Sequence, residues 1–411
     1  MTQDWSSHFT RFRNALEERE PGVLHFAAHS HHWWPDVTAD AHARVWNDAA
    51  RWVDEKWNER VFAEVMPSLR REIARVLDLP DRDTLAFAPN THELLVRLFS
   101  CFEATPERPV RILSTDGEFH SFRRQTQRWE EAGLARVERV PTQPFDSFAE
   151  RWQGAVRAAA EGAAGVDLVF LSHVFFDSGH VNDDFAQTAA ALPPETFFVV
   201  DAYHGFMALP TSWAPLADRA FYLSGGYKNA MAGEGACFLH CPPGHGRRPV
   251  NTGWYAAFGT LQEPPTPDAV PYAQDGNRFF GATFDPSGLY RLEAVLDHWR
   301  ALGVTVADLH ARVMDLQGLF LDGLRDAPGL LSLDDLLLPL APGADDSAGA
   351  SPERAHFLTF RRNDAQELQH KLRGLGVITD VRGDRLRFGF GVYQTETDVE
   401  RLLDRLANAQ R

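Results

Sequence analysis

The sequence predicts an α/β fold built on a large, mostly parallel sheet, and three observations carry that expectation. Short apolar runs alternate with amphipathic stretches from about Asn90 to His240, as strands joined through covering helices do. The runs are continuously apolar, which suits strands packed on both faces. Polar residues able to do chemistry follow directly after several of them, where open parallel sheets bind their ligands.

In chain order the runs are Val110–Thr115, Asp167–His173, Thr196–Asp201, Ala220–Ser224 and Ala236–His240. Near Pro286 a long helical pattern begins, "PSGLYRLEAVLDHWRALGV", and bridges to a second unit. Within that unit Leu340 to Ala355 is rich in Ala, Gly, Ser and Pro, the composition of an exposed, mobile loop. From His356 the order reads strand, helix, strand, strand, helix, a compact α+β unit. At 411 residues the chain exceeds one ordinary core. The expected division is an N-terminal segment, 1–45, that serves the small domain and the site, a large domain, 46–290, and a small C-terminal domain, 291–411.

Composition narrows the function. A hydrophobic fraction of 44% with 24% charged residues is that of a globular enzyme. The formal charge of -16 argues against nucleic-acid and anionic-membrane surfaces, which need a positive face. The N-terminus lacks an apolar signal region and no run of about 18 apolar residues occurs, so a cytoplasmic protein is expected. Three cysteines, Cys101, Cys237 and Cys241, form no paired framework and no zinc spacing; reduced thiols are expected.

Five strand ends carry candidate chemistry. After the first, "FAPNTHELLVRLF", Asn90 or Thr91 can cap a helix with Glu93 in the capping-box position, and the helix start around Thr91 and His92 offers N–H groups to a phosphate. An ordinary cap is the alternative. After the second, Phe119 or His120 offers a ring face for stacking, or a plain core residue. After the third, Ser178 and Gly179 form a turn. After the fourth stand Asp201 and His204: a carboxylate at the end of a buried strand needs a cation or a full set of donors. After the fifth, Lys228 follows Ser224, Gly225, Gly226 and Tyr227 and precedes Gly233 and Gly235. Small flanking residues let the backbone approach a ligand closely, and a desolvated amine beside hydroxyls suits imine chemistry. Together Asp201 and Lys228 read as a pyridoxal phosphate (PLP) site, the aspartate keeping the pyridinium nitrogen protonated and the lysine forming the Schiff base.

The whole chain resembles the class V branch of the fold-type I PLP-dependent enzymes, a large seven-stranded-type sheet domain with a smaller α+β domain, and within it the kynureninases. "DAYHGF" is similar to that family's Asp-x-x-His stretch and "GYKNAMAGEG" to its Tyr-Lys pair with a glycine-containing loop. The resemblance implies that Phe119 stacks on the cofactor ring, that Ser178 lies in the segment near a cofactor oxygen, and that Tyr227 serves proton transfer or a phosphate contact. It also implies that Trp254 in "NTGWYAAFG" lines the substrate pocket, that Thr283 in "RFFGATFDP" reaches the cofactor phosphate of a neighbouring subunit, and that Arg387 binds the substrate α-carboxylate. A homodimer with shared active sites follows from it.

The expected reaction, by the same resemblance, is hydrolytic Cβ–Cγ cleavage of an L-kynurenine-like amino acid, with another lyase or an aminotransferase of this branch as the alternative. A cysteine desulfurase is disfavoured because no cysteine follows Cys241 to supply a thiol from the C-terminal domain. A silent binding protein would not need Asp201, Lys228 and Arg387 together. One departure stands out: where the family reads like Asp-Gly-Asn-Ser-Leu-Gly near the substrate, this chain has "AAHSHHWWPD", sharing only Ser30. His29, His31 and His32 lack a second ligand cluster, so Ser30, His29 and His31 are expected at the substrate pocket and no metal is expected.

Overall fold

The structure, a computed structural model, describes residues 4–162, 165–245, 247–260, 269–326, 329–338 and 354–408. Its strands are β1 (Leu24–His25), β2 (Leu85–Ala88), β3 (Val110–Thr115), β4 (Ala135–Val140), β5 (Leu168–Ser172), β6 (Phe197–Asp201), β7 (Ala220–Gly225), β8 (Cys237–His240), β9 (Phe357–Arg361), β10 (Val377–Ile378), β11 (Asp380–Arg382) and β12 (Arg385–Gly389). All five apolar runs are strands, within one residue at each end.

Seven strands form the main sheet in the order β2-β8-β7-β6-β5-β3-β4. β8 runs antiparallel to both β2 and β7, and every other pairing is parallel. Burial explains the apolar runs: all residues of β5 are buried, as are the first four of β6. The edge strand β4 instead alternates, with Arg136, Glu138 and Arg139 between its buried ends, the charged edge that discourages pairing with another chain.

Helix Ser287–Ala301 forms where the sequence predicts it and buries Leu289, Leu292, Val295, Leu296 and Trp299. At the C-terminal end β9, the helix Ala365–Gly374, β10 with β11, β12 and the helix Glu396–Asn408 reproduce the expected order. β11, β12 and β9 make an antiparallel three-stranded sheet. The N-terminal segment joins it: β1 pairs parallel to β10, and Ala27 bridges Gly389. Of the loop expected over Leu340 to Ala355, residues 340–353 lie outside the described residues. Its last residue departs from expectation, for Ala355 is buried against Val174, Ala208, Leu209 and Phe357. Among the described residues no helix is long and apolar enough to cross a membrane.

Candidate active site

The carboxyl ends of the parallel strands open into a cavity of about 460 Å³. Asp201 ends β6, Ser172 ends β5, Phe119 follows β3, and the turn after β7 brings Tyr227 and Lys228 to the same space. Pro89 and Asn90 lead from β2 into the helix Thr91–Phe99, whose first residues, Thr91 and His92, complete one wall. Asn90 is the cap: its side chain accepts the Glu93 N–H at 2.9 Å.

Lys228 is the central group. It is buried, and its Nζ lies 2.7 Å from His204 Nε2. The rings of Tyr203, Phe119 and Tyr227 surround it at 4.9, 5.2 and 5.7 Å. Burial lowers the Lys228 pKa to about 7, against the opposing pull of Asp201, so the unprotonated amine is accessible near neutral pH. His204 is also buried and held well below the ordinary imidazole range by desolvation and by Lys228; as a neutral ring its Nε2 accepts from the ammonium form of Lys228. Asp201 accepts the Tyr203 N–H at 3.0 Å. Burial raises its pKa, while that hydrogen bond and Lys228 lower it. Burial also pushes the Tyr227 phenol up to about 12, so it stays protonated and can donate.

Close backbone packing sets this geometry. At Gly225 a side chain would collide with Cys237 Sγ and with the Tyr203 hydroxyl. Gly233 has φ +69°, and an added Cβ would strike the Trp34 ring. The three cysteines are free and buried. Cys237 lines the cavity, but burial raises its thiol, like those of Cys101 and Cys241, to about 12.

Of the residues named from sequence, Lys228, Asp201, Tyr227, His204, Thr91, His92 and Phe119 meet at this cavity. Ser224 and Ser178 do not line it. The Ser224 hydroxyl is spent on the Ala202 carbonyl at 3.1 Å, and Ser178 Oγ accepts the His180 N–H at 3.2 Å. Arg387 is buried behind Phe176, bonded to that residue's carbonyl and paired with Asp380. Trp254 and Thr283 lie exposed and bond to each other at 3.2 Å, outside the cavity of their own chain. The histidines of the N-terminal segment diverge. His29 is fully buried, stacked on Phe357 at 4.6 Å with no hydrogen bond to either nitrogen. His31 is exposed, stacked on Tyr227 at 5.3 Å and 3.7 Å from Glu234 of the rim. His32 bonds the Trp33 carbonyl, and Ser30 bonds His31 at 3.3 Å.

Sequence reasoning missed Tyr203, Ser172, Glu118 and Asp380. The first two sit at strand ends already singled out and were legible by position. Glu118 and Asp380 act through the residues they bond, Ser172 and Arg387.

The cavity thus offers a buried amine whose charge burial disfavours for a carbonyl carbon, a carboxylate for a cationic ring nitrogen, an aromatic face for stacking and a helix start for an anionic group. No family model and no curated protein matches the sequence. Among solved structures the chain is similar to C-DES, a cystine C–S lyase described with glycine covalently linked to its PLP cofactor (TM-score 0.78, 18% identity, covering 99% of this chain and 100% of that one). It is also similar to the cysteine desulfurase CsdA from Escherichia coli (TM-score 0.74, 16% identity, covering 100% and 98%). A third likeness is to a cysteine desulfurase from Thermococcus onnurineus NA1 (TM-score 0.72, 17% identity, 96% of each chain). The chain has the fold-type I architecture of these enzymes.

Proposed function

We propose that the chain is a PLP-dependent lyase acting on the side chain of an α-amino acid, with a carbon–sulfur bond as the bond broken. The observation that carries this reading is Lys228: a buried amine with a pKa near 7, ringed by aromatic faces and set across the cavity from Asp201. Lys228 would hold the cofactor through its aldehyde carbon, Asp201 its ring nitrogen, Phe119 its face, and the helix start at Thr91 its phosphate. When bound, the cofactor supplies an electron sink for the substrate's α-carbon. Lys228 then takes and returns the proton at that carbon, and the neutral His204 orients the amine and accepts a hydrogen bond from it when it is protonated.

The structural neighbours support sulfur chemistry, since they are described as cysteine desulfurases and a cystine C–S lyase. A desulfurase that forms a persulfide on its own thiol does not suit this chain, because all three thiols are buried and held protonated. A lyase in which the sulfur leaves on its own fragment needs no such thiol. The kynureninase-like reading rests on the "DAYHGF" and "GYKNAMAGEG" stretches and receives no support from these neighbours. We also propose a homodimer in which Thr283 and Trp254 of each chain reach the site of the other.

Product analysis tests the reaction. With L-cystine, the expected products are a cysteine persulfide, pyruvate and ammonia. Alanine and an aromatic acid from L-kynurenine would favour the kynureninase-like reading instead, and an amino acid formed from a 2-oxo acid acceptor would mark an aminotransferase.

A further inference from the structure

Behind the cavity wall lies a second acid that the reading above does not use. Glu118 stands in the turn between β3 and the helix His120–Glu131, beside Phe119, and is only 2% exposed. Its Oε1 accepts the Thr115 hydroxyl at 2.8 Å and the Ser172 N–H at 3.2 Å, and its Oε2 meets the Ser172 hydroxyl. Thr115 ends β3 and Ser172 ends β5. Ser172 pairs in register with Asp201 at the end of β6 and lines the cavity. A continuous polar chain therefore crosses three strand ends, from Thr115 through Glu118 and Ser172 to the space beside Asp201.

The charged group facing this chain from a neighbouring element is Asp201, another acid. Two carboxylates in one dry region do not both ionise readily. The competition is decided by their partners. Asp201 has Lys228 in front of it and a backbone N–H on its oxygen, whereas Glu118 has only uncharged donors, and burial raises its pKa to about 8. The proton belongs on Glu118. The donor count then reverses at one point: a protonated Oε2 donates to Ser172 Oγ, and the Ser172 hydroxyl hydrogen is released toward the cavity.

We propose that Glu118 is a positioning residue of the site, holding one proton so that Ser172 presents a hydrogen-bond donor to the cavity and Asp201 alone carries negative charge there. The hydrogen bonds and burial stand whatever ligand the cavity takes; the link to a bound cofactor rests on the function proposed above.

Infrared difference spectroscopy of the whole protein, titrated with base, tests the proposal directly. The parent should show the carbonyl band of a buried protonated carboxylic acid at pH 7, disappearing as pH rises through about 8. Glu118→Gln should lack that band. Ser172→Ala, which leaves the acid in place but removes a partner, should keep the band at a shifted frequency, and it covers the case of a Gln variant that folds poorly. A parent without the band, a Gln variant that retains it, or an unmoved band in Ser172→Ala would overturn the proposal. Failure of any visible band to form with PLP would instead overturn the proposed function, leaving the infrared result to decide the role of Glu118.

Discussion

Lys228 carries two opposing demands: burial makes it a nucleophile, and the same burial makes its charged form costly to the fold. The sign follows from linkage. Its pKa falls from 10.5 in the unfolded chain to about 7 in the folded one, so between these values the unfolded state binds more protons and stability rises with pH. Below 7 the full cost remains. In cofactor-free protein, the urea midpoint of the parent minus that of Lys228→Met should therefore climb from pH 7 toward pH 10; a flat difference would show that the amine is not desolvated. Borohydride reduction with PLP followed by peptide mapping should label Lys228 and no other lysine. Asp201→Ala is expected to lower kcat/KM by at least about a hundredfold, roughly 2.7 kcal/mol, while cofactor attachment persists. Which of these residues sequence could reveal depends on position. Lys228, Asp201 and Phe119 follow apolar runs, so strand counting finds them. Glu118 does not stand out, because Thr115-x-x-Glu118 has the spacing of a capping box and yet caps no helix: besides Thr115, its partner is Ser172 of β5, brought near only when the sheet forms.

Elements are held by contacts that composition conceals. β4 is charged at its centre, so it lacks the continuous apolarity that betrayed the inner strands. The loop after Lys228 is fixed by Gly233 against Trp34, and Trp34 in turn lies under the Arg291 guanidinium at 5.0 Å. Gly233→Ala must carry both a collision and a left-handed backbone, and is expected to cost about 1–3 kcal/mol. Thermal or urea unfolding would read the loss, with a shift of tryptophan emission as Trp34 moves. At the opposite wall, Asn90→Ala removes the cap of the helix Thr91–Phe99. It should cost about 1 kcal/mol and weaken PLP retention in dialysis, since the helix start frays where the phosphate is proposed to bind.

At the scale of the whole molecule, the sites that sequence could not place are those that need a second body or a distant segment. Trp254, 46% exposed, bonds Thr283 on a surface away from its own cavity. In the proposed dimer this surface is covered, so sedimentation should give twice the mass of 46.1 kDa. Trp254→Glu should shift the equilibrium to monomer and release the cofactor. A monomeric parent with full activity would defeat the shared-site arrangement. Arg387 poses the other long-range case: Asp380 and the Phe176 carbonyl already occupy its guanidinium, an arrangement that no local pattern around "RLRFGFG" announces.

The pairing of β1 with β10, and of Ala27 with Gly389, imposes an order on synthesis. A nascent chain still anchored in the ribosome can contain Lys228, Asp201 and the complete seven-stranded sheet while β1 still lacks its partner strand β10. His29, which stacks on Phe357, takes its place only after release of the last strands, whereas His31 rests on Tyr227. Translation would thus yield a folded but unfinished protein, and termination rather than the emergence of the lysine would mark the moment at which β1 and His29 find their partners.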